Sequence, residues 1–202
     1  WTGSTNMTWN AFARNNENSL LLPSPTLAQG YAREFEALFG GQKEGLGQPV
    51  AFALEGVEGV AYFSPRGGRL AREALLKRLS EAQREVLVAA FVLTDREVLE
   101  ALLQARRRGA EVKVLLETRN LGTSREEALL EEGLEVRQDA NPYTMHHKVM
   151  LLDGTYVVTG SYNFSVRAHE VNNENLLVLK SPSLAERYRK EVLRLWEAGS
   201  PL

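Results

Sequence analysis

The sequence contains no cysteine. That excludes disulfides, thiolate nucleophiles and cysteine-held zinc or iron–sulfur centres. Histidine is scarce: the three rings, His146, His147 and His169, have no third ligand at zinc spacing, so the expectation is no metal and no cofactor. No run of apolar residues approaches the roughly 18 that a membrane span needs. Charge is balanced, with 24 basic and 26 acidic residues and a net charge of -2. No global field therefore advertises a polyanion partner, although a basic cleft can sit on an acidic protein. The opening WTGSTN begins with Trp and resembles no targeting signal. The expectation is a processed or excised piece of a longer parent, whose compartment and leader stay out of view.

What is present suffices for a core, with 44% hydrophobic residues. Abundant Leu, Arg and Glu with few Met fit a thermophilic source and GC-rich codon bias equally well. The most informative feature is an internal match. Shifted by 157 residues, TGSTNMTWNAFARNNENSLLL (Thr2 to Leu22) lies on TGSYNFSVRAHEVNNENLLVL (Thr159 to Leu179). SPTLAQGYAREFEALF (Ser24 to Phe39) lies on SPSLAERYRKEVLRLW (Ser181 to Trp196). Eighteen of 39 pairs are identical, against roughly two or three from average composition. A period of this size implies two tandem domains. The first would be present only as its tail, residues 1–40. A Gly-rich link at 41–49 would follow, then a complete second domain at 50–202.

Elsewhere apolar runs of strand length alternate with segments of helical period. Strands are predicted at 50–54, 57–63, 85–91, 112–116 and 134–136. Helices are predicted around Leu70–Leu79, from Asp95 to Ala105, and from Thr123 or Ser124 to Glu132. An Asp153-Gly154 turn joins strands at 145–152 and 156–159. A closing helix spans 183–196. Near the start, Leu27, Tyr31, Phe35 and Leu38 recur at three- and four-residue spacing and are expected to form one helical face. The pattern predicts an α/β fold with a mixed, largely parallel sheet flanked by helices on both faces.

The chemistry concentrates in HHKVMLLDGTYVVTGSYN, starting at His146. On a strand His146 and Lys148 share a face, and His147 takes the other. An imidazole and an ammonium beside a Gly-Ser loop suit a phosphoryl group, whose charge must be stabilised during transfer. Ser161 and Asn163 supply hydrogen bonds, and Gly160 permits close backbone approach. Glu174 is expected to fix the tautomer of His146, and Asp153 to serve the turn. His169 is expected at the surface. Tyr162, like Trp9 and Tyr143, either lines the cleft or packs in its wall.

The pattern His-x-Lys, four residues, Asp, six residues, Gly-Ser-x-Asn resembles the signature of the phospholipase D superfamily. The resemblance implies metal-independent phosphodiester cleavage in two steps, with one His attacking phosphorus and another protonating the leaving group. By this likeness His146 and Lys148 are catalytic, with His146 either nucleophile or general acid. Ser161 and Asn163 bind phosphate and Glu174 orients. The first copy retains only Ser4 and Asn6, as phosphate ligands, and Glu17. Its His would fall about a dozen residues before Trp1. The missing half of a parent, or a second chain, would then be needed, and the 202 residues alone would be inactive or nearly so. The resemblance favours bacterial members acting on nucleic acid. The alternatives are a phospholipase or cardiolipin-type enzyme, which calls for an exposed apolar or basic rim that the sequence does not display, and a degenerate binding half-site.

Overall fold

The computed structural model describes residues 1–202. In chain order the elements are β1 (Thr2–Gly3), α1 (Trp9–Ala13), β2 (Ser19–Leu20), α2 (Pro25–Phe39), β3 (Val50–Leu54) and β4 (Val57–Phe63). There follow α3 (Gly68–Glu81), β5 (Glu85–Ala90), α4 (Arg96–Arg107), β6 (Glu111–Leu116), α5 (Glu126–Glu131) and β7 (Glu135–Gln138). The last group is β8 (Lys148–Leu152), β9 (Tyr156–Gly160), α6 (Val166–Glu170), β10 (Asn175–Lys180), α7 (Pro182–Ala198) and β11 (Ser200–Pro201).

Nine strands form one mixed sheet in the order β11-β7-β6-β5-β8-β9-β10-β4-β3. Only β5–β6 and β6–β7 pair in parallel; the other six pairings are antiparallel. The α/β class and flanking helices agree with the pattern read from sequence, but the parallel share is smaller than expected. The reason is that strand–helix–strand crossovers occupy only β5 to β7, while the β3–β4 and β8–β9 hairpins and β10 bring antiparallel neighbours.

Strand alternation divides the core. Val86 and Val88 face α3, α4, α5 and α6, within an apolar cluster of 27 buried residues. Leu87 and Ala89 face α7 and α2, within a second cluster of 18. No helix is long and apolar enough to cross a membrane.

The periodicity of α2 is only partly reflected in burial. Leu27, Gly30, Glu34 and Ala37 are buried, while Phe35 is 64% exposed. Val50 packs where Gly30 has no side chain. Glu34 turns inward to accept from the backbone N–H groups of Leu46 and Gly47, which ties the Gly-rich link to the body.

Residues 1–39 and 158–196 correspond element by element. Shifting α1 by 157 gives the bounds of α6, and the start of α2 becomes the start of α7. The pairing Thr2↔Leu20 becomes Thr159↔Leu177, and Gly3↔Ser19 becomes Gly160↔Leu176. Ser24 and Ser181 both cap their helices, accepting from the N–H three residues on. Gly3 and Gly160 hold φ values of 147° and 143°. A β-carbon at either would collide with the carbonyl of Asn18 or Asn175 on the crossing strand. The motif glycine is thus required by the approach of two strands.

Asp153 sits in the β8–β9 turn with φ of 54°. Its carboxylate accepts from the N–H groups of Gln83, Arg84 and Glu85, fastening the hairpin to the start of β5. Burial pushes its pKa up, but those three donors outweigh burial and hold it below the usual range. A depressed carboxylate contributes stability above its unfolded pKa of about 3.9, and the contribution is lost as pH falls through the folded value. Asp153→Ala is therefore expected to cost about 1–2 kcal/mol at pH 7 in urea unfolding. The gap to wild type should narrow below about pH 4; a gap constant down to pH 3 would contradict this role.

Candidate active site

His146 lies just before β8, where Asn16 and Met145 form an isolated parallel bridge. The His146 N–H donates to the Asn16 carbonyl at 2.9 Å, and the Asn16 N–H donates to the Thr144 carbonyl at 2.9 Å. The N-terminal segment thus grips the backbone on both sides of the imidazole.

The ring is held by that same segment. Nδ1 lies 2.9 Å from a Glu17 carboxylate oxygen and 3.2 Å from the Ser4 carbonyl. Both neighbours only accept, so Nδ1 carries the proton and Nε2 presents its lone pair in the neutral ring. No hydrogen bond occupies Nε2. Glu17 itself is 5% exposed on its side chain and accepts from the Ser4 hydroxyl at 2.6 Å and the Asn15 amide at 3.1 Å. Burial pushes its pKa up, but the bonds from His146, Ser4 and Asn15 prevail and hold it below the usual range.

This corrects the expectation for Glu174. The carboxylate on His146 comes from residue 17, not residue 174. Glu174 accepts from the Asn172 amide at 3.2 Å, as Glu17 does from Asn15, but no imidazole of this chain reaches it. The reason is a crossing of the two halves. Asn18 Oδ1 accepts from Thr159 and Tyr188, each at 2.9 Å. Reciprocally, Asn175 Oδ1 accepts from Thr2 at 3.0 Å and Tyr31 at 3.1 Å. Each half orients groups on the other.

The serines also differ from expectation. Ser4 Oγ accepts from the Asn18 N–H at 3.0 Å while its proton goes to Glu17. The Ser4 hydroxyl is therefore engaged in holding the carboxylate rather than free for phosphate. Ser161 Oγ accepts from the Asn175 N–H at 3.0 Å and keeps its own proton to donate. Asn6 is exposed, with no side-chain hydrogen bond. The Asn163 side-chain oxygen is buried without a partner.

Lys148 is 3% exposed. Its ammonium donates to the His146 carbonyl at 2.8 Å and lies 4.7 Å from the centre of the Phe91 ring. Burial pushes its pKa down to about 7, against the pull of Glu17 and Glu174. Phe91 also meets His146 edge-on, with ring centres 4.6 Å apart. Sequence reasoning placed Phe91 at the end of a strand without assigning it a role. The signal was the change at the end of EVLVAAF, where an aromatic follows two alanines at the sheet's functional edge.

The other rings lie elsewhere. His147 is 2% exposed and faces α7, as strand alternation predicts. Its Nδ1 lies 3.2 Å from the Asn18 amide nitrogen, and burial lowers its pKa to about 4. His169, expected at the surface, is 6% exposed on α6, beside buried Asp95. Asp95 is fixed bidentately by Arg72 at 2.8 and 2.6 Å. Tyr162 is 1% exposed and belongs to the apolar cluster, so it packs in the wall. Of the three rings, only His146 therefore stands beside Lys148 and Phe91. Three residues before His146, the half-exposed ring of Tyr143 carries the Arg14 guanidinium at 4.9 Å from its centre. Arg119 braces the same loop through Thr144 and the Pro142 carbonyl.

The Lys148 ammonium offers a test. Its titration followed by NMR at the ε-methylene is expected to have a midpoint near 7, and saturating sulfate should raise that midpoint by pairing with the charged form. A midpoint above 9, unmoved by sulfate, would contradict an anion site at this ammonium.

Comparison with known proteins fits this geometry. A family model described as "Cardiolipin synthase, PLD-like domain" matches residues 75–196. A mitochondrial cardiolipin hydrolase of Xenopus laevis is 36% identical over 129 residues, covering 63% of this chain and 61% of that protein. A phospholipase D of Rickettsia typhi is 33% identical over 128 residues, covering 62% of each. The chain thus spans somewhat over three-fifths of the length of these relatives. Among solved structures, the phospholipase D family member Nuc from Salmonella typhimurium superposes with a TM-score of 0.67 at 30% identity, covering 72% of this chain and 98% of that one. NucT from Helicobacter pylori, at 21% identity and a TM-score of 0.66, shares the fold. With the sequence pattern at His146, the mixed sheet and these matches in agreement, the chain belongs to the phospholipase D-like family.

Proposed function

We propose that this chain carries one half of a phosphodiesterase site that works through a covalent phosphohistidine, with nucleic acid as the favoured substrate class. The observation that carries the reading is the fixed tautomer of His146. The Nδ1 proton is committed to Glu17 and Ser4, so Nε2 is free to attack phosphorus. The Nε2–P bond forms as the P–O bond to the leaving group breaks, and Lys148 stabilises charge on the phosphoryl oxygens. Water, deprotonated by a second imidazole acting as base, then cleaves the N–P bond and restores the ring. No metal is required in this sequence of steps. An alkoxide leaving group needs a proton, which a second imidazole would supply. By the reciprocity of the two halves, Glu174 is the carboxylate that would orient that second ring.

The same reading makes residues 1–40 the tail of a first domain. Its support is the exposure of apolar side chains whose counterparts are buried. Met7, Phe12, Phe35 and Phe39 are 78%, 56%, 64% and 84% exposed, whereas Phe164, His169, Val192 and Trp196 are at most 6% exposed. These residues form the face on which a sheet like that of residues 50–160 would pack. Because that packing accounts for them, they count less as a rim for docking on a bilayer.

Nucleic acid is favoured by the Arg14–Tyr143 pair, which offers a cation and an aromatic face to a strand of bases. The second reading, a lipid phosphodiester, is supported by the names of the relatives, cardiolipin hydrolase and phospholipase D.

Bis(4-nitrophenyl) phosphate separates nucleophile from acid, because nitrophenolate leaves without a proton. The 202-residue chain is expected to release at most about one equivalent in a burst, insensitive to chelator and absent in His146→Asn. Chelator-sensitive release, or a burst surviving in His146→Asn, would sink the mechanism. For the substrate class, anisotropy of a labelled single-stranded oligonucleotide should show about tenfold weaker binding for Tyr143→Ala. Binding to cardiolipin vesicles with no affinity for the oligonucleotide would favour the lipid reading instead.

A further inference from the structure

We infer that the cavity behind His146, between residues 17–20 and α7, is a ligand site. It fits a small molecule with a neutral hydrogen-bond acceptor at its buried end, an apolar body and an anionic outer end. A ligand seated there steadies the segment that holds His146. The inference goes beyond the catalytic reading and does not depend on it.

The cavity has a volume of about 370 Å³, within the range of small-molecule pockets. Alternation along the strand sends His146 and His147 to opposite sides, and it is His147 that lines this cavity. His147 is 2% exposed. Its Nδ1 faces the Asn18 amide nitrogen at 3.2 Å. The amide is fixed this way round because its oxygen accepts from Thr159 and Tyr188, each at 2.9 Å. Nδ1 is therefore an acceptor, and Nε2 carries the proton. Burial lowers the pKa of the ring to about 4, so it stays neutral through the physiological range. Nε2 is buried with no hydrogen-bond partner. A buried donor left unpaired costs free energy that an added acceptor recovers.

The rest of the wall narrows what can supply that acceptor. Leu20, Val149, Leu184 and Val192 give an apolar lining. Two carboxylates stand in the wall as well. Glu17 is engaged by His146, Ser4 and Asn15, and Glu191 by Arg194 at 2.9 and 2.8 Å. Two negative charges on this wall disfavour a third beside His147, so the buried acceptor is neutral, as in an amide carbonyl. Arg187 lines the same cavity but is exposed and has no ion pair. It offers its charge to an anionic group at the outer end.

The coupling follows from shared residues. Glu17 and Asn18 line the cavity, and both also hold the candidate site. Glu17 bonds the His146 ring. Asn18 takes protons from Thr159 and Tyr188, and its own N–H donates to Ser4 Oγ at 3.0 Å. A ligand that binds only the closed arrangement of these residues must slow the opening of their bonds.

The probe is 4-acetamidobenzoate, which joins a carbonyl, a ring and a carboxylate. Benzoate lacks the carbonyl and acetanilide lacks the carboxylate. Each is added to the full 202-residue chain and followed by NMR at the His147 ring nitrogens and the methyls of Val149 and Leu184. The probe is expected to shift all three saturably, with a Kd of about 1 mM or tighter. Benzoate and acetanilide are expected to bind roughly tenfold more weakly. The advantage over benzoate should vanish in His147→Phe, and the advantage over acetanilide in Arg187→Ala. Arg187 is exposed, so the second variant decides the matter should the first not fold. Saturating probe is also expected to slow exchange of the Asn18 backbone amide proton several-fold. No shift up to about 10 mM overturns the site and leaves a cavity for water alone. Shifts centred on Lys148, or affinities unmoved by either variant, overturn it equally. Binding with unaltered exchange at Asn18 upholds the site and overturns the coupling.

Discussion

The bond from His146 Nδ1 to Glu17 joins residues 129 positions apart, and the rest of the site depends on it. It fixes the tautomer, leaves Nε2 without a hydrogen-bond partner and keeps a buried carboxylate ionised. Glu17 can do this only because Ser4 and Asn15 complete its hydrogen bonds. Those residues are in turn placed by the close crossing at Gly3. Removing one partner of such a buried pair would leave a charge or a donor unsatisfied, which costs more than the pair contributes net. The segment of residues 1–39 is therefore part of the proposed site and not an appendage to the sheet.

Opposite constraints act on the neighbouring cation. Lys148 is as deeply buried as the core side chains around it, so its charged form is disfavoured until an anion arrives. The Phe91 ring and the His146 carbonyl partly satisfy it. In the proposed reaction a phosphoryl group supplies the negative charge that the poorly solvated ammonium lacks, which agrees with the family the chain belongs to.

Much of this was legible in the amino-acid sequence. The spacing of His146, Lys148, Asp153, Gly160 and Asn163 identified the family, and residues 1–39 and 158–196, matched at a 157-residue offset, carry corresponding elements. The assignment of Glu174 to His146 failed for a physical reason. Proximity in sequence suggests that a motif serves itself, whereas the crossing of the two halves brings Glu17 to His146. The sheet's parallel share is smaller than strand–helix alternation suggests because β5 pairs with the β8–β9 hairpin and β10 inserts antiparallel between β9 and β4. His169 was placed at the surface because a lone histidine after a loop looks solvated, but α6 packs its backbone against Gly68. Phe91 escaped notice since an aromatic at the end of a buried strand reads as core.

The most direct test of the account is the tautomer of His146, read by long-range proton–nitrogen NMR on the 202-residue chain, wild type against Glu17→Gln and Glu174→Gln. The account predicts a neutral ring protonated at Nδ1 in the wild type, unchanged in Glu174→Gln and lost or mixed in Glu17→Gln. A His146 tautomer insensitive to Glu17→Gln but altered in Glu174→Gln would contradict it.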